Sequence, residues 1–151
     1  MLREKRILLV VTGGIAAFKS LDLVRQIRSA GGKVRTILTQ SASEFVTPLS
    51  LQALTEDKVY SDIFSLTDES EMGHIQLSRK ADLIVVAPAT ANFMAKMRAG
   101  ISDDLASTVV LATDKPIIVA PAMNVRMWDK VATQENISVL KDRGVQFVGP
   151  N

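Results

Sequence analysis

Runs of consecutive Val, Ile and Leu recur along the chain with helix-like stretches between them. They are RILLVVT (6–12), KVRTILT (33–39), DLIVVAP (82–88), PIIVAPA (116–122) and VQFVG (145–149). This alternation constrains the fold more than any other feature. A strand that is apolar on successive residues, not on alternate ones, must be covered on both faces, as in a parallel sheet between helical layers. The intervening stretches supply the helices. IAAFKSLDLVRQIRSA (15–30) is amphipathic and stops at Gly31-Gly32, SASEFVTPLSLQALT (41–55) reads as a helix broken at Pro48, and KVYSDIF (58–64) is a further short strand. After a polar loop, helices are expected at 74–81, 91–100, 103–113 and 129–144. The 151 residues fit one domain with a sizeable core.

In such sheets, ligands gather beyond the carboxyl ends of the strands. TGGIAAFKS, TQSASEF, APATAN and APAMN all follow strand runs and are therefore expected to converge. Composition narrows the partners. A net charge of +2 with the two signs interspersed gives no nucleic-acid footprint. No apolar stretch reaches the length of a membrane span, and MLREKRILLVV is followed by no signal-cleavage pattern. The chain has no cysteine, which excludes disulfides and thiol catalysis within it and favours the cytoplasm.

The first loop fails two familiar tests. Counting from Gly13, Ile15 and Phe18 stand where a dinucleotide fingerprint needs glycines, and Phe18 also replaces the second glycine of a nucleoside-triphosphate loop. A short glycine turn opening a helix remains, able to receive an anion on backbone N–H groups. The second strand ends in Thr39, Ser41 and Ser43 instead of an acid, and hydroxyls suit a terminal phosphate. The same residues also serve as a tight turn and a helix cap, and the pattern admits both readings. Thr90 and Asn92 offer polar groups at the end of an apolar strand, or a cap.

His74 is the single histidine. It suits general acid–base work, although a partly exposed histidine at the start of a helix is the plainer reading. One histidine with no cysteines or paired acids nearby argues against a metal site. Asp103-Asp104 reads as helix-start chemistry. Asn124 either caps the next helix or, flanked by Met123 and Met127, donates to a substrate carboxylate in a water-poor setting that would favour decarboxylation.

TGGIAAFKS, GHIQLSRKADLIVVAPATAN, AGISDDLAS and PAMNVRMW, in that order, resemble the flavin-dependent cysteine decarboxylases over essentially the whole chain. The resemblance implies an α/β, flavodoxin-like or Rossmann-like doubly wound parallel sheet in a single three-layer domain, bound FMN, and a homotrimer whose interfaces build the active sites. It implies that Gly13, Gly14, Ile15, Thr39 and Ser41 hold the FMN phosphate end, and that Thr90, Ala91, Asn92 and Ala122 line the cofactor. His74 would act at the substrate cysteine, and Asn124 with Met127 would bind substrate. The implied reaction is decarboxylation of phosphopantothenoylcysteine to phosphopantetheine in coenzyme A biosynthesis, through an enethiol. A peptidyl-cysteine oxidative decarboxylase and a non-catalytic FMN-binding domain are the alternatives. The biosynthetic members carry a downstream flap whose cysteine completes the reduction. Residues 1–151 lack that cysteine, so the expectation is one FMN-binding domain cut before the flap and any synthetase domain, with a doubtful reductive step.

Overall fold

The computed structural model describes residues 2–61 and 69–150. Six parallel strands form one sheet: β1 (Arg6–Val11), β2 (Lys33–Leu38), β3 (Val59–Ser61), β4 (Leu83–Ala89), β5 (Ile117–Pro121) and β6 (Gln146–Phe147). Their order is β3-β2-β1-β4-β5-β6. The chain winds outward from β1 to one edge, returns, and winds outward from β4 to the other. This doubly wound arrangement puts the reversal of strand order between β1 and β4, where ligand crevices form.

Period-two alternation divides the core between the two faces. Leu8 and Val10 of β1 join Ile37, Ile84, Val86 and Val119 on one face. There they meet Leu77 of α3 (Glu69–Arg79), Phe93 and Met94 of α4 (Ala91–Ala99), Val109 of α5 (Leu105–Ala112) and Ile137 of α7 (Val131–Asp142). Ile7, Leu9 and Val11 join Val34 and Leu38 on the other face. Their cover is Val24 and Ile27 of α1 (Lys19–Ser29) and Leu51 of α2 (Pro48–Thr55). Leu9, Val10 and Val11 are wholly buried, so the central strand is the continuous apolar run the sequence displays.

Several boundaries differ from the sequence reading for local reasons. A 3-10 turn over Ile15–Phe18 precedes α1. Pro48 does not interrupt a helix; it opens α2 at its first position, behind the Thr47 cap, where its missing N–H costs nothing. Helix α3 begins at Glu69, not residue 74, running through Gly73 at a propensity cost of about 1 kcal/mol. The reading of 62–64 as strand lies outside the described residues. Most consequential is α6 (Val125–Asp129), a separate five-residue helix ahead of the one expected over 129–144. Extended Lys130 separates it from α7.

Asp103-Asp104 plays the structural part expected. The Asp104 carboxylate accepts the Ser107 N–H at 2.7 Å in a reciprocal capping box. Lys96 donates to Asp103 at 3.0 Å, which holds the Asp103 carboxyl below its ordinary range.

Candidate functional site

Four loops beyond the strand tips are tied together. The Thr12 hydroxyl donates to the Pro88 carbonyl at 2.6 Å and accepts the Thr90 N–H at 3.0 Å, locking the end of β1 to the end of β4. The Ala122 N–H donates to Ala89 O at 3.0 Å, adding the end of β5, and the Thr39 N–H donates to Val11 O at 3.1 Å, adding β2. Gly13 and Ser41 touch so closely that a Cβ on Gly13 would lie 2.7 Å from the Ser41 Cβ. Gly14 adopts φ +97°, a conformation that strains any residue with a side chain. The glycine pair thus allows both the sharp turn into α1 and the approach of the second loop. Gly13→Ala is expected to destabilise the protein by about 1–3 kcal/mol, because Ser41 must move; urea unfolding measures it.

Beside this knot runs a cleft of about 800 Å³, within the usual range for cofactor sites. Its floor is Ala87, Pro88, Ala120, Pro121 and Ala122. These side chains are all short, so this side of the cleft leaves room for a planar heterocycle. One wall is the flank of the first helical segment, Ala16, Lys19, Ser20 and Leu23, whose spacing puts them on one helix face. Gly13, Gly14 and Ile15, Met123 and Asn124, and Pro150 complete the lining.

Two polar groups of the wall have no partner among the described residues. Lys19 is the one charged residue in the lining, and among the described residues it forms no ion pair. Ser20 is only 2% exposed, yet its hydroxyl has no hydrogen-bond partner. A buried orphan hydroxyl costs about 1–3 kcal/mol unless something satisfies it, and a bound molecule with an acceptor would do so. The helical spacing of 16, 19, 20 and 23 was visible in the sequence. Nothing there said which face of the helix would be left uncovered.

The residues expected at the site fall into three groups. Gly13, Gly14, Ile15, Ala122 and Asn124 line the cleft. Ser41 and Thr90 stand immediately behind its loops, Ser41 against Gly13 and Thr90 bonded to Thr12. Thr39, Ala91, Asn92 and Met127 lie outside the lining, as does His74. Local structure already occupies two of the hydroxyls expected to face a phosphate or ring. Thr39 Oγ1 accepts the Ala42 N–H at 3.1 Å, and Thr90 Oγ1 accepts the Phe93 N–H at 3.0 Å as the cap of α4.

Asn124 takes the capping role offered for it. Its Oδ1 accepts the Met127 N–H at 2.9 Å and caps α6, which leaves the amide Nδ2 as a donor. The water-poor setting expected for it is absent within one chain. Asn124 is exposed and Met127 is 43% exposed, because α6 leads the methionine outward. His74 sits half-buried on α3. One turn further along, Leu77 packs on the sheet face opposite α1. One chain therefore does not bring the imidazole into the cleft. Among the described residues no cluster of His, Cys, Asp and Glu could hold a metal, and no helix is long and apolar enough to cross a membrane.

Known proteins share this architecture. A family model described as Flavoprotein matches residues 1–151. The chain belongs to the Flavoprotein family. Among relatives of this flavoprotein, the coenzyme A biosynthesis bifunctional protein CoaBC of Vibrio vulnificus (strain YJ016) is 48% identical over 149 residues. The alignment covers 99% of the flavoprotein and 37% of the relative, so the chain spans well under half the length of that protein. Among solved structures, the FMN-dependent cysteine decarboxylase SpaF superposes with a TM-score of 0.90 at 33% identity, covering 100% of this chain and 87% of its own. A PPC decarboxylase variant complexed with pantothenoylaminoethenethiol gives 0.82 at 32% identity, covering 99% and 84%. The flavodoxin-like α/β class is thereby established for the flavoprotein.

Proposed function

We propose that this flavoprotein binds FMN in the cleft and decarboxylates phosphopantothenoylcysteine to phosphopantetheine, a step of coenzyme A biosynthesis. The observation that carries the reading is an alanine and proline floor with a free amide donor, Asn124 Nδ2, in the same lining. Family membership supports it. FMN, when bound, would take two electrons from the cysteinyl thiol side as CO₂ leaves and return them to the enethiol, so that the step to phosphopantetheine is redox-neutral overall. Gly13, Gly14 and Ile15, with Ser41 behind them, receive the phosphate end on backbone N–H groups, a role compatible with the unpaired charge of Lys19. Thr39, Thr90, Ala91 and Asn92 shape the loops around the cofactor, and Ala122 lies under the ring. Asn124 donates to the substrate carboxylate, and Met127 covers it.

The exposure of Asn124 and the absence of His74 from the cleft lining both favour a site completed by a second copy. The assembly we propose is a homotrimer in which His74 of one copy faces the cleft of the next. Association would cover the exposed Ile15, Val125 and Met127 and dry the amide, so that the carboxylate loses solvation as CO₂ leaves. The reaction belongs in the cytoplasm on this reading.

The test is CO₂ release by the yellow, FMN-loaded protein from phosphopantothenoylcysteine and, in parallel, from a peptide ending in cysteine. Release from the first supports the reading, preference for the peptide favours a peptidyl-cysteine decarboxylase, and no release from either leaves only FMN binding. Ser20→Ala adds a test of the cofactor alone. Removing the orphan hydroxyl is expected to stabilise the flavin-free protein by about 1 kcal/mol and to weaken FMN several-fold. Thermal melts and flavin-fluorescence titration would show the two effects with opposite signs.

A further inference from the structure

A second cavity lies at the other end of the sheet, below the amino ends of β1 and β2, and has a volume of about 360 Å³. Four of its lining residues are cations, Arg6, Lys33, Arg35 and Lys80, against one carboxylate, Asp57. Strand geometry forces this crowding. Arg6 and Lys33 are register partners on adjacent strands, and Arg35 follows Lys33 by two residues, on the same face. Like charges directly opposite one another destabilise a sheet. Nothing in the role proposed for the cleft asks for them here.

The acids nearby neutralise the cluster only in part. Asp82 accepts the Arg6 backbone N–H at 2.8 Å, and its carboxylate lies 3.6 Å from the guanidinium Nε, beyond hydrogen-bond distance. Asp57 meets Arg35 likewise at Nε, at 3.3 Å, while its other oxygen accepts the Lys58 N–H at 2.7 Å. Among the described residues, no hydrogen bond engages the terminal nitrogens of either guanidinium, and Lys33 and Lys80 have no ion pair. Two arginines each paired with a carboxylate at Nε, with their outer forks free, are arranged as phosphate receptors are. Behind the charges, the cavity wall is apolar, with Leu8 and Leu77 buried there.

We propose that this cavity binds an organic phosphate monoester of nucleotide size. The free guanidinium forks and the two ammonium groups hold the phosphate, and the apolar or aromatic part lies against Leu8 and Leu77. Four cations suit a dianion better than a single carboxylate. The volume accommodates a base or a comparable group in addition to the phosphate.

Calorimetric titration of the protein in excess FMN with adenosine monophosphate, inorganic phosphate and adenosine tests the proposal. The expected result is saturable binding of the monophosphate at low salt, weakened as salt rises, with inorganic phosphate weaker and adenosine weaker still. The double variant Lys33→Gln/Lys80→Gln leaves both arginine–aspartate contacts in place. It is expected to lose roughly tenfold in affinity, about 1.4 kcal/mol, with an unchanged flavin spectrum. Absence of saturable binding at millimolar monophosphate, or equal affinity in the double variant, would overturn the site. Equal affinity for inorganic phosphate and for the monophosphate would overturn the organic-phosphate assignment. Because Lys33 and Lys80 line this cavity and not the cleft, the double variant reads this site whether or not the cleft holds FMN.

Discussion

Asn124→Asp is expected to lower turnover about a hundred- to a thousandfold, the scale seen when a single charge-stabilising donor is removed from an active site. The protein should stay folded and yellow. Aspartate caps helices as well as asparagine does, so the bond from the Met127 N–H to Oδ1 at 2.9 Å survives, and α6 keeps its start. What disappears is the Nδ2 donor, replaced by a negative oxygen facing the carboxylate of the substrate. Steady-state CO₂ release with flavin absorbance as the folding control measures it. Substrate affinity should fall together with turnover. A variant with near-normal turnover would leave Asn124 as a helix cap and nothing more.

The second large effect is a recovery. His74→Asn alone and Asn124→Asp alone are each expected to be inactive, whereas trimers assembled from both chains should regain about a quarter of wild-type turnover. In an equal mixture, a cleft works only if its own chain keeps Asn124 and the neighbour keeps His74, and closed cyclic symmetry fixes how often that happens. Refolding or coexpressing the two variants and assaying the mixed oligomer gives the answer. No recovery, with mixed trimers shown to form, would place both groups in one chain. Full activity of His74→Asn would return His74 to a half-buried surface position on α3. The experiment separates the residues' roles from their connectivity, which an activity loss in single variants cannot do.

How far the chain could be read from its residues depended on the range of the interactions involved. Val10 and Val11 declare themselves in a consecutive apolar run because a strand covered on both faces tolerates no polar alternate position. Gly14 and the Asn124 cap are equally local, for each answers to the conformation of a few neighbouring residues. Pro48 was misjudged because one residue both breaks a helix and begins one, and only its position relative to the Thr47 cap distinguishes the two. Ser20 gave no sign at all. Its orphan hydroxyl stands in a cleft wall shared with the ends of β4 and β5, residues some seventy to a hundred positions away.

Short-range sequence pattern therefore determined the α/β class, the direction in which the strand-end loops point, and the residue types gathered there. The tertiary structure alone decided which of those loops enclose space. It put Gly13 against Ser41, used the Thr39 and Thr90 hydroxyls for capping, left Asn124 in the open, and assigned His74 to the far layer of the sheet. The cause is geometric. A strand tip fixes where a loop begins, but whether a side chain there meets a ligand, a backbone N–H or a second copy depends on how helices hundreds of atoms away settle onto the two faces.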